Sequence, residues 1–179
     1  LRAPILFDAK ADYLLYGMAE SSVVELADSL REKRSPHDIR GLAYLAKEAP
    51  KSYLVLPSFE EAVANPDEFT KMFEVFYQNN DPITARGIAQ KKGDRFYVQN
   101  PPARTPSEST LDELYATDWE RAQHPYYAHQ GDVKALETIQ FSIPTHRGCY
   151  GECNFCAIAV HEGRTVSSRS EASILAEAE

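Results

Sequence analysis

Short apolar runs alternate with amphipathic stretches in the first third of the chain, which predicts strands alternating with helices. The runs at residues 12–16, 39–45 and 51–56 are bounded by turn-forming residues, as short buried strands are. After the first run, apolar residues recur at helical spacing and predict a helix over about residues 22–33. A strand that leads into a helix is half of a β-α unit, so the pattern favours an α/β fold.

The pattern Ser-x-x-Glu marks two candidate helix starts, at Ser22/Glu25 and at Ser58/Glu61. In such a capping box, the two side chains satisfy backbone N–H groups that the first turn of a helix leaves free. The second box precedes an aromatic stripe at helical spacing, formed by Phe69, Met72, Phe73, Phe76 and Tyr77. This spacing predicts an amphipathic helix whose aromatic face packs in the core; the alternative is a face that binds a ligand.

In the rest of the chain, residues 100–135 are rich in Pro, Ser, Thr and His, which predicts a connecting segment. The expected elements are a helix near residues 83–90, a strand at 95–99 after the Gly93-Asp94 turn, a small helix at 111–115, a strand at 136–143 and a final helix capped by Ser170. Residues 144–163 are expected to form a loop. A strand, a long loop and a helix in that order predict the first unit of a parallel α/β barrel.

Composition is typical of a folded, acidic protein. The chain has 179 residues, of which 43% are hydrophobic, and its formal net charge is −8. A dedicated nucleic-acid surface would need clustered Lys and Arg, so no nucleic-acid partner is expected. No apolar run approaches the roughly 20 residues that cross a bilayer, and no leader is evident. We therefore expect no membrane partner and a cytoplasmic location.

The two ends of the chain suggest a fragment of a longer protein. The chain begins at Leu1 rather than Met, and it stops at Ala178-Glu179 inside a predicted helix. Part of any active site is therefore expected to lie outside these residues.

All three cysteines fall in one short pattern, Cys149-x-x-x-Cys153-x-x-Cys156. Three thiols are too few for a disulfide framework, and clustered thiols in a reducing compartment more often bind a metal. Thiolates are soft ligands that suit iron–sulfur clusters, zinc or copper(I). Because most [4Fe–4S] clusters take four cysteines, three would leave one iron open to another ligand.

A structural zinc site is the alternative use of the same thiols. His146 and His161 flank the cysteines, and either could complete a set of three cysteines and one histidine in a binding module without redox activity. Structural zinc sites usually place their ligands on two separated knuckles, whereas the sequence has one group of cysteines. Either histidine could also be a solvated loop residue.

Residues 141–173, FSIPTHRGCYGECNFCAIAVHEGRTVSSRSEAS, resemble the YgiQ family of radical S-adenosylmethionine (SAM) proteins. The similarity includes Phe155, the aromatic residue immediately before the last cysteine. Within this stretch residues 147–149, 161–164 and 168–170 resemble the family as well. Outside it the resemblance includes residues 11–12, 17, 20, 54–59, 93–95, 100–102 and 124–125. The resemblance is therefore distributed over most of the chain.

The resemblance implies a radical SAM enzyme of unknown substrate. Such enzymes reduce a [4Fe–4S] cluster and split SAM into methionine and a 5′-deoxyadenosyl radical, which takes a hydrogen atom from a substrate. On this resemblance Cys149, Cys153 and Cys156 hold the cluster, and Phe155 lies beside the adenosyl group of SAM. The implied partners are SAM and a reduced electron donor of the flavodoxin or ferredoxin type.

Arg164 and Arg169 are the cations that closely follow the cysteines. Because a guanidinium pairs well with a carboxylate, either could bind the carboxylate of SAM. The alternative for both is a surface ion pair with Glu162 or Glu171.

The resemblance also implies a division of the chain into three parts. Residues 1–60 are expected to complete a Rossmann-like (cobalamin-binding-like) domain, and residues 61–135 to form a mostly helical connector. Residues 136–179 are then the start of the radical SAM core, a partial (β/α) barrel. The Gly17–Glu20 turn resembles the Gly-rich turn that closes such an N-terminal domain.

Overall fold

The computed structural model describes residues 2–179, which form both helices and strands. The strands are β1 (Tyr13–Leu15), β2 (Leu42–Ala46), β3 (Leu54–Leu56), β4 (Ile88–Lys92), β5 (Arg95–Gln99), β6 (His146–Arg147) and β7 (Ser167–Ser168). The α-helices are α1 (Ile5–Ala9), α2 (Glu20–Arg31), α3 (Phe59–Ala64), α4 (Pro66–Gln78), α5 (Glu108–Tyr115), α6 (Leu136–Ile139), α7 (Ile158–Glu162) and α8 (Glu171–Ala178). A 3-10 helix covers Pro125–Gln130. Within this part of the chain, every helix is too short or too polar to cross a membrane.

Contacts along the chain define two compact units. The first contains residues 2–105 together with Gly148–Thr165, and the second contains Pro106–Arg147 and Val166–Glu179. All three cysteines therefore belong to the first unit. The division of the chain at residues 60 and 135 stays a prediction.

The first unit is built on a five-stranded mixed sheet with the strand order β1-β2-β5-β4-β3. The β1–β2, β2–β5 and β4–β5 pairs are antiparallel, whereas β3 runs parallel to β4 with Leu54 opposite Ile88. The expectation of an α/β fold is confirmed at this level. Because Rossmann-like sheets are mostly parallel, the sheet does not establish the Rossmann-like assignment.

The hydrophobic core of the first unit lies against the middle of this sheet. Its fully buried members are Ile39, Leu42, Tyr44, Ala89 and Val98. Residues from β2, β4 and β5 contribute side by side, which is why these three strands occupy the centre of the sheet. Burying apolar area of this kind supplies most of the favourable free energy of folding.

Asn100 is the polar residue that joins the end of this sheet to the neighbouring loops. Its side-chain Nδ2 donates to the carbonyls of His37 and Ile39, both at 2.7 Å, and its Oδ1 accepts from the Tyr53 hydroxyl at 2.8 Å. The Asn100 carbonyl accepts a hydrogen bond from the Tyr16 hydroxyl. Burial raises the pKa of Tyr16, so this phenol stays a neutral donor throughout the physiological range.

The capping box predicted at Ser58 and Glu61 is confirmed at the start of α3. The Ser58 Oγ accepts from the Glu61 N–H at 3.2 Å, and the Glu61 carboxylate accepts from the Ser58 N–H at 2.8 Å. Each side chain thus satisfies a backbone donor that would otherwise have no partner in the helix.

We expect Ser58→Ala to lower the free energy of unfolding by about 1 kcal/mol, the usual cost of losing a helix N-cap. Urea unfolding followed by circular dichroism measures the change. Ser52→Ala is the control, because Ser52 is exposed and its side chain caps no helix. Equal midpoints for the two variants would show that the box does not stabilise α3.

The capping box predicted at Ser22 and Glu25 is wrong. Helix α2 begins at Glu20 with Ala19 in the N-cap position. Ser22 is buried inside the helix, and its Oγ donates to the Arg40 carbonyl at 2.8 Å. A buried hydroxyl takes the partner that the tertiary structure offers, and this partner was not visible in the local pattern.

The helix predicted near residues 83–90 and the strand predicted at 136–143 are also wrong. Residues 88–92 form β4, because pairing with both β3 and β5 satisfies their backbone groups in the centre of the sheet. Residues 136–139 instead form the short helix α6, and Phe141 is 82% exposed. An alternating pattern specifies a strand only where a neighbouring strand and a buried face exist, and residues 2–179 offer neither to this segment.

The aromatic stripe lies on a helix as predicted, but it does not pack in the core. Helix α4 leaves Phe69, Phe73 and Tyr77 partly exposed, at 38%, 51% and 38%. Their rings stack along the helix at centroid distances of 6.4 Å and 5.9 Å. The three rings therefore shield one another on the surface of the first unit.

Candidate functional site

The cysteine segment follows β6 and forms a loop that ends in the short helix α7. Its backbone turns through two left-handed positions, Gly148 (φ +89°) and Glu152 (φ +44°). The Gly148 N–H donates to the Glu162 carboxylate at 2.9 Å, and the Cys149 N–H donates to the Gly163 carbonyl at 3.1 Å. These bonds close the loop at its two ends, so the cysteines lie on a short folded segment.

A close backbone contact fixes the end of this segment on the first unit. Gly17, in the turn after β1, has a φ of +72°, and a Cβ at this position would lie 3.1 Å from the His161 carbonyl oxygen. A side chain at Gly17 would be strained and crowded. The Gly17–Glu20 turn and the residues 161–164, both part of the family resemblance, therefore lie next to each other.

The three thiols are free, and two of them accept backbone hydrogen bonds. The Gly151 N–H donates to the Cys149 Sγ at 3.4 Å, and the Ile158 N–H donates to the Cys156 Sγ at 3.5 Å. A Cβ on Gly151 would lie 3.4 Å from the Cys149 Sγ and 3.8 Å from the Cys153 Sγ. The loop thus keeps two sulfurs beside a position without a side chain.

The donor types on this loop are those that an iron–sulfur cluster takes. Soft thiolates are the ligands that iron–sulfur clusters take, and N–H donors to sulfur are among the groups that set their reduction potential. In residues 2–179, however, no three His, Cys, Asp or Glu side chains are arranged to hold a metal ion. The fit therefore rests on the ligand types and their hydrogen bonds. Within these residues, neither the three thiols alone nor the three thiols with a histidine form an assembled ligand set.

The other predicted site residues near the cysteines are solvent-facing. Phe155 is 93% exposed, so its ring is accessible from solvent. His161 is exposed, and the imidazole Nδ1 of His146 lies 2.9 Å from the Thr145 Oγ1.

Arg164 is held by three side chains of the first unit. Its Nε donates to the Glu152 carboxylate, and Nη1 donates to the Asn80 Oδ1. The guanidinium carbon lies 4.8 Å from the centroid of the Tyr77 ring. The Arg164 guanidinium holds the pKa of Glu152 below its ordinary value, so Glu152 is ionised at neutral pH. The expected ion pair exists, but its partner is Glu152 rather than Glu162 or Glu171.

Arg169 is buried in the second unit, with 4% of its surface exposed. It pairs with the Glu177 carboxylate, donates to the carbonyls of Pro144 and Ser173, both at 2.9 Å, and lies 4.2 Å from the Tyr115 ring centroid. Arg169 is thus bound inside its own unit, and its partner is again different from the two glutamates expected.

The sequence did not indicate which residues contact the two arginines. These are Glu152, Tyr77 and Asn80 for Arg164, and Glu177 for Arg169. Glu152 was visible between two cysteines, but its role depends on an arginine twelve residues later in the chain. Tyr77 was identified only as part of an apolar stripe. The helical periodicity of α4 gave no indication that the Tyr77 ring would stack on the Arg164 guanidinium.

Acidification tests the Glu177 pairs. Burial alone would raise the pKa of Glu177, but the hydrogen bonds and charges of Arg169 and Arg121 outweigh it and hold this pKa below the ordinary value of 4.5. The pairing therefore stabilises the second unit fully above the pKa of the unfolded chain, and the stabilisation is lost as the pH falls through the folded pKa.

We expect amide hydrogen exchange in α8 to accelerate as the pH is lowered through this range, after correction for the intrinsic pH dependence of exchange. Glu177→Gln should abolish the pH dependence of the corrected exchange rates in α8. Glu171→Gln, which changes an exposed carboxylate on the same helix, should keep it. Identical corrected profiles for both variants would mean that Glu177 does not carry the effect.

Comparison with known proteins assigns the chain to a class. The family model described as "Radical SAM N-terminal" matches residues 1–142, which places the chain among radical SAM-type proteins. The match ends before Cys149, so it does not include the cysteine segment. The chain belongs to the radical SAM N-terminal family, and the resemblance to YgiQ-type radical SAM proteins is confirmed.

Its relatives among curated proteins include several UPF0313 proteins. A UPF0313 protein of Fusobacterium nucleatum is 54% identical over 99% of this chain, which covers 31% of that relative. UPF0313 proteins of Clostridium botulinum and Thermotoga neapolitana are 39% and 41% identical over 99% of the chain, covering 28% and 32% of their lengths. The chain thus spans about a third of the length of these relatives. No solved structure matches it significantly.

Proposed function

We propose that this chain is part of a radical SAM enzyme and supplies Cys149, Cys153 and Cys156 as the protein ligands of a [4Fe–4S] cluster. The observation that carries the proposal is the trio of free thiols on one short loop, with backbone N–H donors on two of the sulfurs. Family membership supports the same chemistry. When bound, the cluster would supply an electron to SAM and generate a 5′-deoxyadenosyl radical.

The roles of the protein residues follow from their positions. The three thiolates would each bind one iron of the cluster and leave the fourth iron without a protein ligand, available to SAM. The exposed Phe155 ring is available to stack on the adenine. Binding of the SAM carboxylate by Arg164 or Arg169 stays a prediction, and it would require either guanidinium to exchange a carboxylate partner that it already has.

The remaining parts of the proposal concern the longer protein. We propose that residues 136–179 begin a radical SAM barrel, that residues 1–60 complete a Rossmann-like domain, and that residues 61–135 connect them. A flavodoxin- or ferredoxin-type protein is proposed as electron donor, and the cytoplasm as location. The remaining two thirds of the length, by comparison with the relatives, would contribute to the SAM and substrate pockets.

Anaerobic reconstitution with iron and sulfide tests the proposal. We expect a brown protein whose dithionite-reduced form gives an EPR signal that changes when SAM is added. Cys153→Ala should lose the signal, whereas Asn154→Ala, a change of an exposed neighbour in the same loop, should keep it. A colourless wild-type protein that gives no EPR signal and binds stoichiometric zinc, with the zinc lost in Cys153→Ala and kept in Asn154→Ala, would replace the proposal with the structural zinc site.

Gly151 provides a second test of the same site. A side chain at residue 151 would occupy the space beside the sulfurs of Cys149 and Cys153. We expect Gly151→Val to reduce the iron and sulfide content after reconstitution by more than half. The exposed position should leave the stability of the metal-free protein within about 0.5 kcal/mol of the wild type. Unchanged iron content would show that the cluster does not use this space.

A further inference from the structure

The loop between Cys149 and Cys153 is attached to helix α4 by side chains. Glu152, the residue before Cys153, has a left-handed backbone (φ +44°), which costs free energy for a residue with a side chain. Its carboxylate accepts from the Arg164 Nε and, at 3.3 Å, from the Tyr77 hydroxyl. Glu152 therefore keeps an unfavourable backbone conformation while its carboxylate contacts two other segments of the first unit.

Arg164 connects this loop to a fixed point of the first unit. Its other contacts are the Asn80 Oδ1, on a residue that is 5% exposed, and the face of the Tyr77 ring. The Arg164 side chain itself is only 25% exposed, so its ion pair is less screened than a fully solvated one. A planar guanidinium suits this arrangement, because it can donate in two directions while it stacks on a ring.

We infer that Arg164 is a positioning residue that, together with Glu152, Tyr77 and Asn80, fixes the first part of the cysteine loop against α4 before any metal binds. This inference rests on the proposed function, because the purpose of the attachment is to reduce the conformational freedom that three thiolates lose when they gather around one cluster. In this role Arg164 acts on the cysteines through the loop backbone.

The first readout needs no metal. In the metal-free protein, amide hydrogen exchange over residues 149–156 should be about five- to thirtyfold faster in Arg164→Met than in the wild type, the range expected when a cation–π contact and a half-shielded ion pair are lost. Exchange in β2 and β5 should not change, since the sheet does not depend on this contact. Arg31→Met is the matched control, because Arg31 forms an exposed ion pair with Asp28 in the same unit.

The second readout follows the reconstituted protein. Iron release to a chelator should accelerate in Arg164→Met and remain at the wild-type rate in Arg31→Met. Arg164→Lys retains the charge but not the planar fork, so it should give intermediate rates. The double variant Glu152→Arg/Arg164→Glu swaps the two charges. It should restore part of the protection against amide hydrogen exchange that Arg164→Met loses.

The outcomes separate the two proposals. Wild-type exchange and iron-release rates in Arg164→Met would overturn the positioning role and leave cluster binding intact. A wild-type protein that takes up no cluster would overturn the proposed function, even if loop exchange still responded to Arg164→Met. Equal acceleration of exchange in the sheet and in the loop would also contradict the inference, because it would show general destabilisation.

Discussion

Asn100→Ala should lower the free energy of unfolding of the first unit by about 3–5 kcal/mol, the largest effect that we expect from a single substitution. Asn100 is 2% exposed, and its side chain is the hydrogen-bond partner of the His37 and Ile39 carbonyls and of the Tyr53 hydroxyl. Truncation removes three bonds at once and leaves the buried Ile39 carbonyl without its donor, and an unpaired buried group costs more than a bond gains.

Asn100→Asp distinguishes hydrogen bonding from packing. The substitution preserves the volume of the side chain but replaces the Nδ2 donor by an oxygen that faces two carbonyls. We therefore expect a loss of stability at least as large as for Asn100→Ala at neutral pH. Urea unfolding measures both variants against Asn154→Ala, an exposed asparagine. An Asp variant close to the wild type in stability would show that the two carbonyls do not depend on this donor.

Arg169→Met should destabilise the second unit by about 3 kcal/mol, near the lower end of the range for breaking a buried ion pair. The Arg169 side chain is 1% exposed and contacts the Glu177 carboxylate, two carbonyls and the Tyr115 ring. Without the cation, Glu177 keeps its pair with Arg121, and the Ser173 and Pro144 carbonyls lose a donor. Helix α8 should lose most of its protection.

Hydrogen exchange in α8 measures this effect within its own unit. Lys134→Met is the control, because Lys134 is an exposed cation of the same unit. Protection of α8 should fall strongly in Arg169→Met and stay unchanged in Lys134→Met. If α8 kept its protection in Arg169→Met, the buried pair would be dispensable for the helix.

Both arginines that follow the cysteines form ion pairs inside the protein, which changes how the candidate site is understood. Arg164 contacts the cysteine loop, whereas Arg169 contacts the last helix. A binding site for SAM that used either guanidinium would have to compete with these carboxylates. The site is therefore better described by the thiols, their N–H donors and the residues that hold the loop.

Local sequence signals determined those features whose cause is local. The Ser58 box, the helical spacing of α4, the Gly93-Asp94 turn into β5 and the Ser170 cap of α8 all depend on residues within a few positions of one another, and all are present. The cysteine pattern and the family resemblance were likewise visible, because the spacing of cysteines on one loop is a property of contiguous residues.

Features that depend on a partner distant in the sequence were set by the tertiary structure. Residues 88–92 became a strand because β3 and β5 lie on either side of them, and residues 136–139 became a helix because no strand of the described chain lies beside them. The aromatic rings of α4 stayed at the surface because the core was filled from β2, β4 and β5. Arg164 pairs with Glu152 rather than with Glu162, which is closer in sequence, because charged groups pair with the partner that the fold brings within reach.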